Sequence, residues 1–280
     1  MNKLMHRLAA NKLAFIGGIF IILLVLITVL APIISPFDPL KNDIDHRFVK
    51  PFMSEHILGT DEMGRDILSR IIYGSRVSML IAVESVLIAF LAGSIPAIFA
   101  GYFGGKTEMV VMRIVDILFS IPSLVLALSI VGLVGRSLIG VSVALGLAYT
   151  PIFARVTYSS VVGIRDRGYV EAARALGSNH LKIIAHDIFP NILPIILVQA
   201  TASISWSILA EAGLGFIGLG VNPPTPSWGL MLSRARDYIM QQPWMSISPG
   251  IAILITVFAF NLFGDGLRDL LDPRSWQAGE

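Results

Sequence analysis

Leu13-Ala-Phe-Ile-Gly-Gly-Ile-Phe-Ile-Ile-Leu-Leu-Val-Leu-Ile-Thr-Val-Leu-Ala-Pro-Ile-Ile34 carries no charge across 22 residues. As a helix this run is about 33 Å long, enough to cross the hydrocarbon of a bilayer. Lys3, Arg7 and Lys12 precede it in the manner of a signal-peptide n-region. The apolar run nevertheless exceeds the ~7–15 residues of an h-region and lacks a convincing A-x-A cleavage site, so it reads as a retained span.

The rest of the chain agrees with a membrane setting. Of 280 residues, 55% are hydrophobic and only 14% charged, with a mean hydropathy of +0.76. So few polar side chains cannot dress a water-facing surface, which excludes a soluble enzyme and intrinsic disorder. The net charge of +2 leaves no nucleic-acid footprint. Absence of cysteine excludes disulfides, thiol catalysis and thiolate metal sites.

Five more stretches have spanning length: Val77–Phe103, Ile114–Gly135, Ser137–Ala154, Ile192–Ala210 and Ile247–Phe263. Six spans put both termini on one side, and the cationic N-terminus assigns that side to the cytoplasm. Twelve Lys and Arg then lie inside against nine outside. The predicted organisation is a cytoplasmic N-terminus and first span (1–34), an extracytoplasmic segment (35–76), a five-span core (77–264) and a cytoplasmic tail (265–280). Within the core, 155–191 is an inner loop and 213–246 an outer one. Both loops and the 35–76 segment are far longer than ordinary helix connections.

Pro96, Pro122 and Pro151 fall inside spans, where a missing N–H and a ring clash kink a helix; they mark either a cavity or moving part, or only the ordinary proline content of membrane helices. Gly17, Gly18, Gly93, Gly140 and Gly146 read as close helix contacts. Ala100-Gly-Tyr-Phe-Gly-Gly-Lys-Thr107 almost spells a phosphate-binding loop, but a membrane span precedes it in place of a buried strand, so it is expected to be a glycine-rich turn.

Charged groups in hydrocarbon cost about 2.5 kcal/mol or more, so Glu84 and Asp116 inside spans, Glu211 at an edge, and the neutral Gln199 and Asn261 are candidates for a transport pathway or for bonds between helices. His6, His46, His56, His180 and His186 lie outside the apolar runs and read as solvated surface groups, and no metal site is expected. With no buried histidine and no G-x-G-D motif at Asp265, no catalytic set is recognisable. A membrane enzyme using Glu84, Asp116 and Glu211 as acids is the alternative reading, and a sensor or scaffold a third.

The inner loop reads Arg165-Asp-Arg-Gly-Tyr-Val-Glu-Ala-Ala-Arg-Ala-Leu-Gly-Ser-Asn-His-Leu-Lys-Ile-Ile-Ala-His-Asp-Ile-Phe-Pro190. Val170–Leu176 consists mostly of good helix formers, with Ala172, Ala173 and Leu176 expected on one face and Glu171 and Arg174 elsewhere. Gly177 supplies a left-handed stop, and Ser178 is expected to cap a second short helix.

Glu171-Ala-Ala-x-x-x-Gly177 resembles the EAA loop of permease subunits in bacterial binding-protein-dependent ABC importers. Four further motifs follow in the expected order: Ala31-Pro-Ile-Ile-Ser-Pro-Phe-Asp-Pro39, Leu58-Gly-Thr-Asp-Glu-Met-Gly-Arg-Asp66, Gly218-Leu-Gly-Val-Asn-Pro-Pro-Thr-Pro-Ser-Trp-Gly229 and Gly264-Asp-Gly-Leu-Arg-Asp-Leu-Leu-Asp-Pro-Arg274. Together they resemble the C-type permease of the peptide and nickel branch over nearly the whole chain. The resemblance implies an all-α membrane protein with the six-span type I importer permease fold. It also implies a homologous sister permease, two cytoplasmic ATPase subunits that bind ATP and Mg, and an extracytoplasmic binding protein, all amid membrane lipid. The cargo would be a peptide, nickel or a metal chelate, moved by alternating access. Coupling to an ATPase would fall to Glu171, Ala172, Ala173 and Gly177, with Tyr169, Val170, Ala175 and Leu176 completing the helix. One departure stands out: the family's I-x-L-P after the glycine is here Asp187-Ile188-Phe189-Pro190, which puts the expected apolar contact at 187 in doubt.

Overall fold

The computed structural model describes residues 12–271, and among these the chain is helical apart from turns and one isolated bridge between Thr60 and Asp66. Helix α1 (Lys12–Ile34) is the uncharged run. Only 11% of its span is buried, against 61% for the central helix α6 (Leu138–Val162), so α1 lies at the rim. It packs on α11 (Trp244–Leu271), where an added Cβ on Gly17 would stand 2.7 Å from the Phe263 nitrogen.

The predicted span at Val77 starts ten residues earlier. Helix α2 (Ile67–Ala89), a five-residue π turn (Phe90–Ser94) and α3 (Ile95–Phe103) make one column of 37 residues. Its start is fixed by Asp66, whose carboxylate accepts from the Ser69 backbone N–H (2.7 Å) and hydroxyl (2.6 Å), satisfying orphan donors of the first turn. Arg70 and Arg76 sit in this helical extension and lower its hydropathy, which hid it from a hydropathy reading.

The column ends at Gly104 and Gly105, both at positive φ, so the loop-like motif is the expected glycine turn. The expected span Ile114–Gly135 is a broken one: α4 (Gly105–Phe119) and α5 (Ser123–Val134) meet at 89°. Pro122 stands at the break and has no N–H with which to continue α4. Helix α6 extends eight residues beyond the predicted end at Ala154 and tolerates Pro151 within it.

After α6 come α7 (Gly168–Ala175), α8 (His180–Ile183), a second π turn (Ile184–Ile188) and α9 (Phe189–Phe216). The span expected at Ile192–Ala210 thus belongs to a 37-residue column, His180–Phe216. Short α10 (Trp228–Ala235) and long α11, the expected Ile247–Phe263 span extended at both ends, complete the described residues. Among the described residues, five helices are long and apolar enough to cross a bilayer, or six with the bent pair counted as one span.

Both π turns end two residues before a proline, Pro96 and Pro190. A proline ring clashes with the carbonyl four residues back, and the wider turn removes that clash without breaking the column.

Two large apolar clusters hold most of the helices, and a small third one, Ala97, Val115 and Ala154, seats α4 on α3 and α6. Of the two large ones, one gathers α2, α3, α5 and α6 with the loop between α6 and α9 around Ile81, Leu145, Phe153, Ile183 and Ile188. The other joins α2, α9, α10 and α11 around Ile67, Ile208, Trp228 and Phe260. Three of the glycines expected at helix contacts do serve there. Added Cβ atoms at Gly17, Gly93 and Gly146 would lie 2.7 Å from the Phe263 nitrogen, 2.4 Å from the Thr150 oxygen and 2.6 Å from Ile88 Cβ. Gly18 has only ordinary contacts, and Gly140 instead faces the Gly135 carbonyl within its own turn.

Candidate functional site: the inner-loop helix and the polar groups of the helices

Helix α7 is anchored on one edge and open on the other. Val170 is fully buried and Ala173 partly buried against the first apolar cluster. Tyr169, Glu171, Ala172, Ala175 and Leu176 are exposed, Leu176 by 86%. The expected face is therefore corrected: Ala172 and Leu176 point outward while Ala173 points inward, because the three-residue step from Val170 to Ala173 defines the buried edge.

Gly177 is left-handed, with φ +75°. Its N–H donates to the Arg174 carbonyl (3.0 Å) and that of Ser178 to the Ala173 carbonyl (3.1 Å), the double bond of a Schellman stop. Ser178 thus closes α7, and Asn179, not Ser178, caps α8 through the Leu181 N–H at 3.1 Å. Beyond it, Ile183, Ile184 and Ile188 are all buried. The apolar contact in doubt at Asp187 is supplied by these three, brought to one side by the π turn.

A polar clamp ties α7 to the end of α3. Tyr102, buried, bonds through its hydroxyl to His180 Nδ1 at 2.8 Å, and the Arg174 guanidinium lies 5.1 Å over the Tyr102 ring. Arg165 Nη1 donates to the Gly101 carbonyl (2.8 Å), and Arg174 Nη2 to the Arg165 carbonyl (3.1 Å). These groups and Glu108, which accepts from the Tyr158 hydroxyl, line an open cleft of about 480 Å³. His180 is therefore partnered, and so is His56, whose Nδ1 lies 3.0 Å from Asp66 with its side chain only 15% exposed. His180 is nonetheless exposed, as the sequence suggested, whereas His56 is largely covered.

The candidate pathway residues are not brought together; Glu84, Glu211, Gln199 and Asp116 each have a separate partner. Glu84 accepts from the Ser142 hydroxyl (2.8 Å), a bond between α2 and α6. Glu211 is wholly buried and accepts from the Ser78 hydroxyl (2.9 Å), with Ser227 beside the same carboxylate. Ser78 in turn accepts from the Trp228 N–H (3.3 Å), and the Trp228 indole donates to the Ile71 carbonyl (3.1 Å). Glu211 thus anchors the proline-rich loop that leads into α10. Gln199 donates to Ser203 within α9, and Asn261 is exposed on α11. Asp116 alone pairs with a cation: Arg155 Nη2 donates to its Oδ1 at 2.9 Å, and the same guanidinium lies 4.1 Å over the Phe119 ring. Sequence reasoning missed Arg155 because it set the fourth span's end at Ala154.

The Leu58–Asp66 motif is a buried ion-paired knot in which the second carboxylate oxygen of Glu62 has no hydrogen-bond partner. Buried Arg65 binds Asp61 (2.7 Å) and Glu62 (3.0 Å), and buried Arg70 reaches Asp61 (3.4 Å) and the Pro39 carbonyl (2.9 Å). Gly64, at φ +75°, has no room for a side chain: its Cβ would fall 1.6 Å from the Asp43 oxygen.

Residues 77–277 match the model of the binding-protein-dependent transport system inner membrane component, and residues 2–51 match the N-terminal TM domain of oligopeptide transport permease C. The chain belongs to this permease family. It is 41% identical over 279 residues to the di/tripeptide transport system permease protein DppC of Pseudomonas aeruginosa, covering 98% of this chain and 92% of that one. It is also 41% identical over 268 residues to the dipeptide transport system permease protein DppC of Alkalihalophilus pseudofirmus, covering 96% and 88%. The fold resembles that of the inward-facing MetNI methionine ABC transporter, with a TM-score of 0.61 at 21% identity over 74% of this chain and 98% of that one. This permease is accordingly a membrane subunit of an ABC importer, a multi-pass inner-membrane protein and not an enzyme.

Proposed function

We propose that the permease forms half of a transmembrane path for di- and oligopeptides, completed by a homologous sister permease. Two ATPase subunits, binding ATP and Mg, drive it from the cytoplasmic side, where both termini lie, and an extracytoplasmic binding protein loads it. Alternating access follows if closure of the ATPases pushes α7 and rocks the columns joined to it. Carrying this reading is the geometry of α7: a buried edge, Val170 and Ala173, fixed to the helix core, and an opposite face whose small alanines permit close docking and whose Glu171 offers a charge for an arginine. Peptides are preferred to nickel or metal chelates because two relatives at 41% identity are named for di- and tripeptides. Exposed Ile44, Phe52 and Met53 of the outer segment supply apolar contacts for the binding protein, since the charges of the neighbouring knot are already paired.

Glu171→Lys reverses the docking charge. Expected is membrane insertion at normal levels with loss of binding-protein-dependent dipeptide uptake in vesicles containing the whole complex. Normal uptake by that variant removes the coupling role from α7.

A further inference from the structure

Between the Leu58–Asp66 knot and helix α10 lies a cavity of about 10 Å³, on the order of the room that a single water molecule needs. Glu62, Arg65 and Arg70 line it from the side of the knot, Met231 and Arg234 from α10, and Met245 from α11. Glu62 is the incomplete member. Its side chain is only 10% exposed; Oε1 accepts from Arg65 Nη2 at 3.0 Å, whereas Oε2 is buried and has no hydrogen-bond partner. A charged acceptor sealed from solvent is costly to leave without a donor. Arg234 is the complementary case. Arg65 and Arg70 both bind Asp61, but no carboxylate among the described residues pairs with Arg234, although its charge is close enough to act on Arg70. An acceptor without a donor and a cation without an acid thus line one small space from two different elements, and they do not touch.

We propose that this cavity is the site of one ordered water molecule, which bridges Glu62 to Arg234 and so fastens α10 to the knot. The water accepts from an Arg234 N–H and donates to Glu62 Oε2. Both bonds are charge-assisted, and a bridging water is nearly as good as a direct hydrogen bond. The lining selects against other small occupants. Three guanidinium groups against the carboxylates of Asp61 and Glu62 leave a net positive surround that repels a cation, while the unpaired oxygen of Glu62 repels an anion. The bridge joins the two long outer segments, 35–66 and 218–246, through polar groups where apolar packing is thin. It does not depend on what the importer carries.

The test uses the assembled importer complex. A cryo-EM map sharp enough to resolve ordered water is expected to show one density peak in the cavity, within about 3.2 Å of both Glu62 Oε2 and an Arg234 nitrogen. X-ray footprinting gives a second readout, because radiolysis of a bound water releases hydroxyl radical beside its neighbours. Met231 and Met245 line the cavity and are as buried as Met79, which does not. Oxidation of Met231 or Met245 is expected to run several-fold faster than that of Met79. Arg234→Leu, which removes the donor, is expected to lose the density peak. A map with no peak, a peak in reach of only one partner, a direct Arg234–Glu62 contact, a peak that survives Arg234→Leu, or equal oxidation of the three methionines overturns the proposal. If the variant does not assemble, the map and the footprint of the unaltered complex decide by themselves.

Discussion

Glu211 shows how a single carboxylate holds an irregular loop inside a membrane protein. Its acceptor bond orders Ser78, and Ser78 receives the first N–H of α10, so one side chain on α9 connects α2 to the loop ending at Ser227. Removing an acceptor from a buried donor costs about 1–3 kcal/mol. Glu211→Ala is therefore expected to lower the thermal unfolding midpoint of the purified complex and to expose the 218–227 loop to proteolysis. Glu211→Gln keeps a carbonyl oxygen at the same position and is expected to stay near the original midpoint. Equal midpoints for the Ala and original proteins refute the anchoring role. The importance of this residue was visible in the sequence only as a charge near a span edge. Its partner Ser78 lies 133 positions away and has no local signature.

At the level of elements, α7 depends on a clamp made elsewhere. Tyr102 at the end of α3 receives His180 from one side and Arg174 from another, so α7 is tied to the α2–α3 column. Tyr102→Phe removes the hydroxyl but keeps the ring, and His180→Ala removes the partner. Either is expected to speed amide hydrogen exchange at 168–177 several-fold with little change in α6, and to reduce coupled uptake. Unchanged exchange in both refutes the clamp. The helix itself was legible: Val170–Leu176 has the propensity, and Gly177 has the stop. Which face it buries was not legible, because Ala172 and Ala173 are equally apolar and only the neighbouring Val170 decides between them. Element boundaries failed for a related reason. Hydropathy marks where a helix is apolar, whereas Asp66, Ser137 and Asn179 mark where it begins, and Arg70 and Arg155 lie in helical turns beyond the apolar stretch.

For the whole molecule, six crossings were readable from length and charge, and the broken third crossing was foreshadowed by Pro122. The rim position of α1 was not foreshadowed, since its sequence is the most apolar of all and its 11% burial follows from where α11 receives it. Because the chain has no cysteine, its orientation is open to direct measurement with single introduced thiols. Ser54→Cys is expected to react with a membrane-impermeant maleimide added to intact spheroplasts, and Asp166→Cys only after permeabilisation. The opposite pattern inverts the topology.

The widened turn at Phe90–Ser94 also sets a phase. One residue in a helix corresponds to a rotation of about 100°, so excising a single position from that turn would swing everything from Ile95 to Phe103 around the axis by that angle. Tyr102 would then aim away from His180, and a defect of one residue deep in the bilayer would be felt at the surface as a disconnected drive shaft.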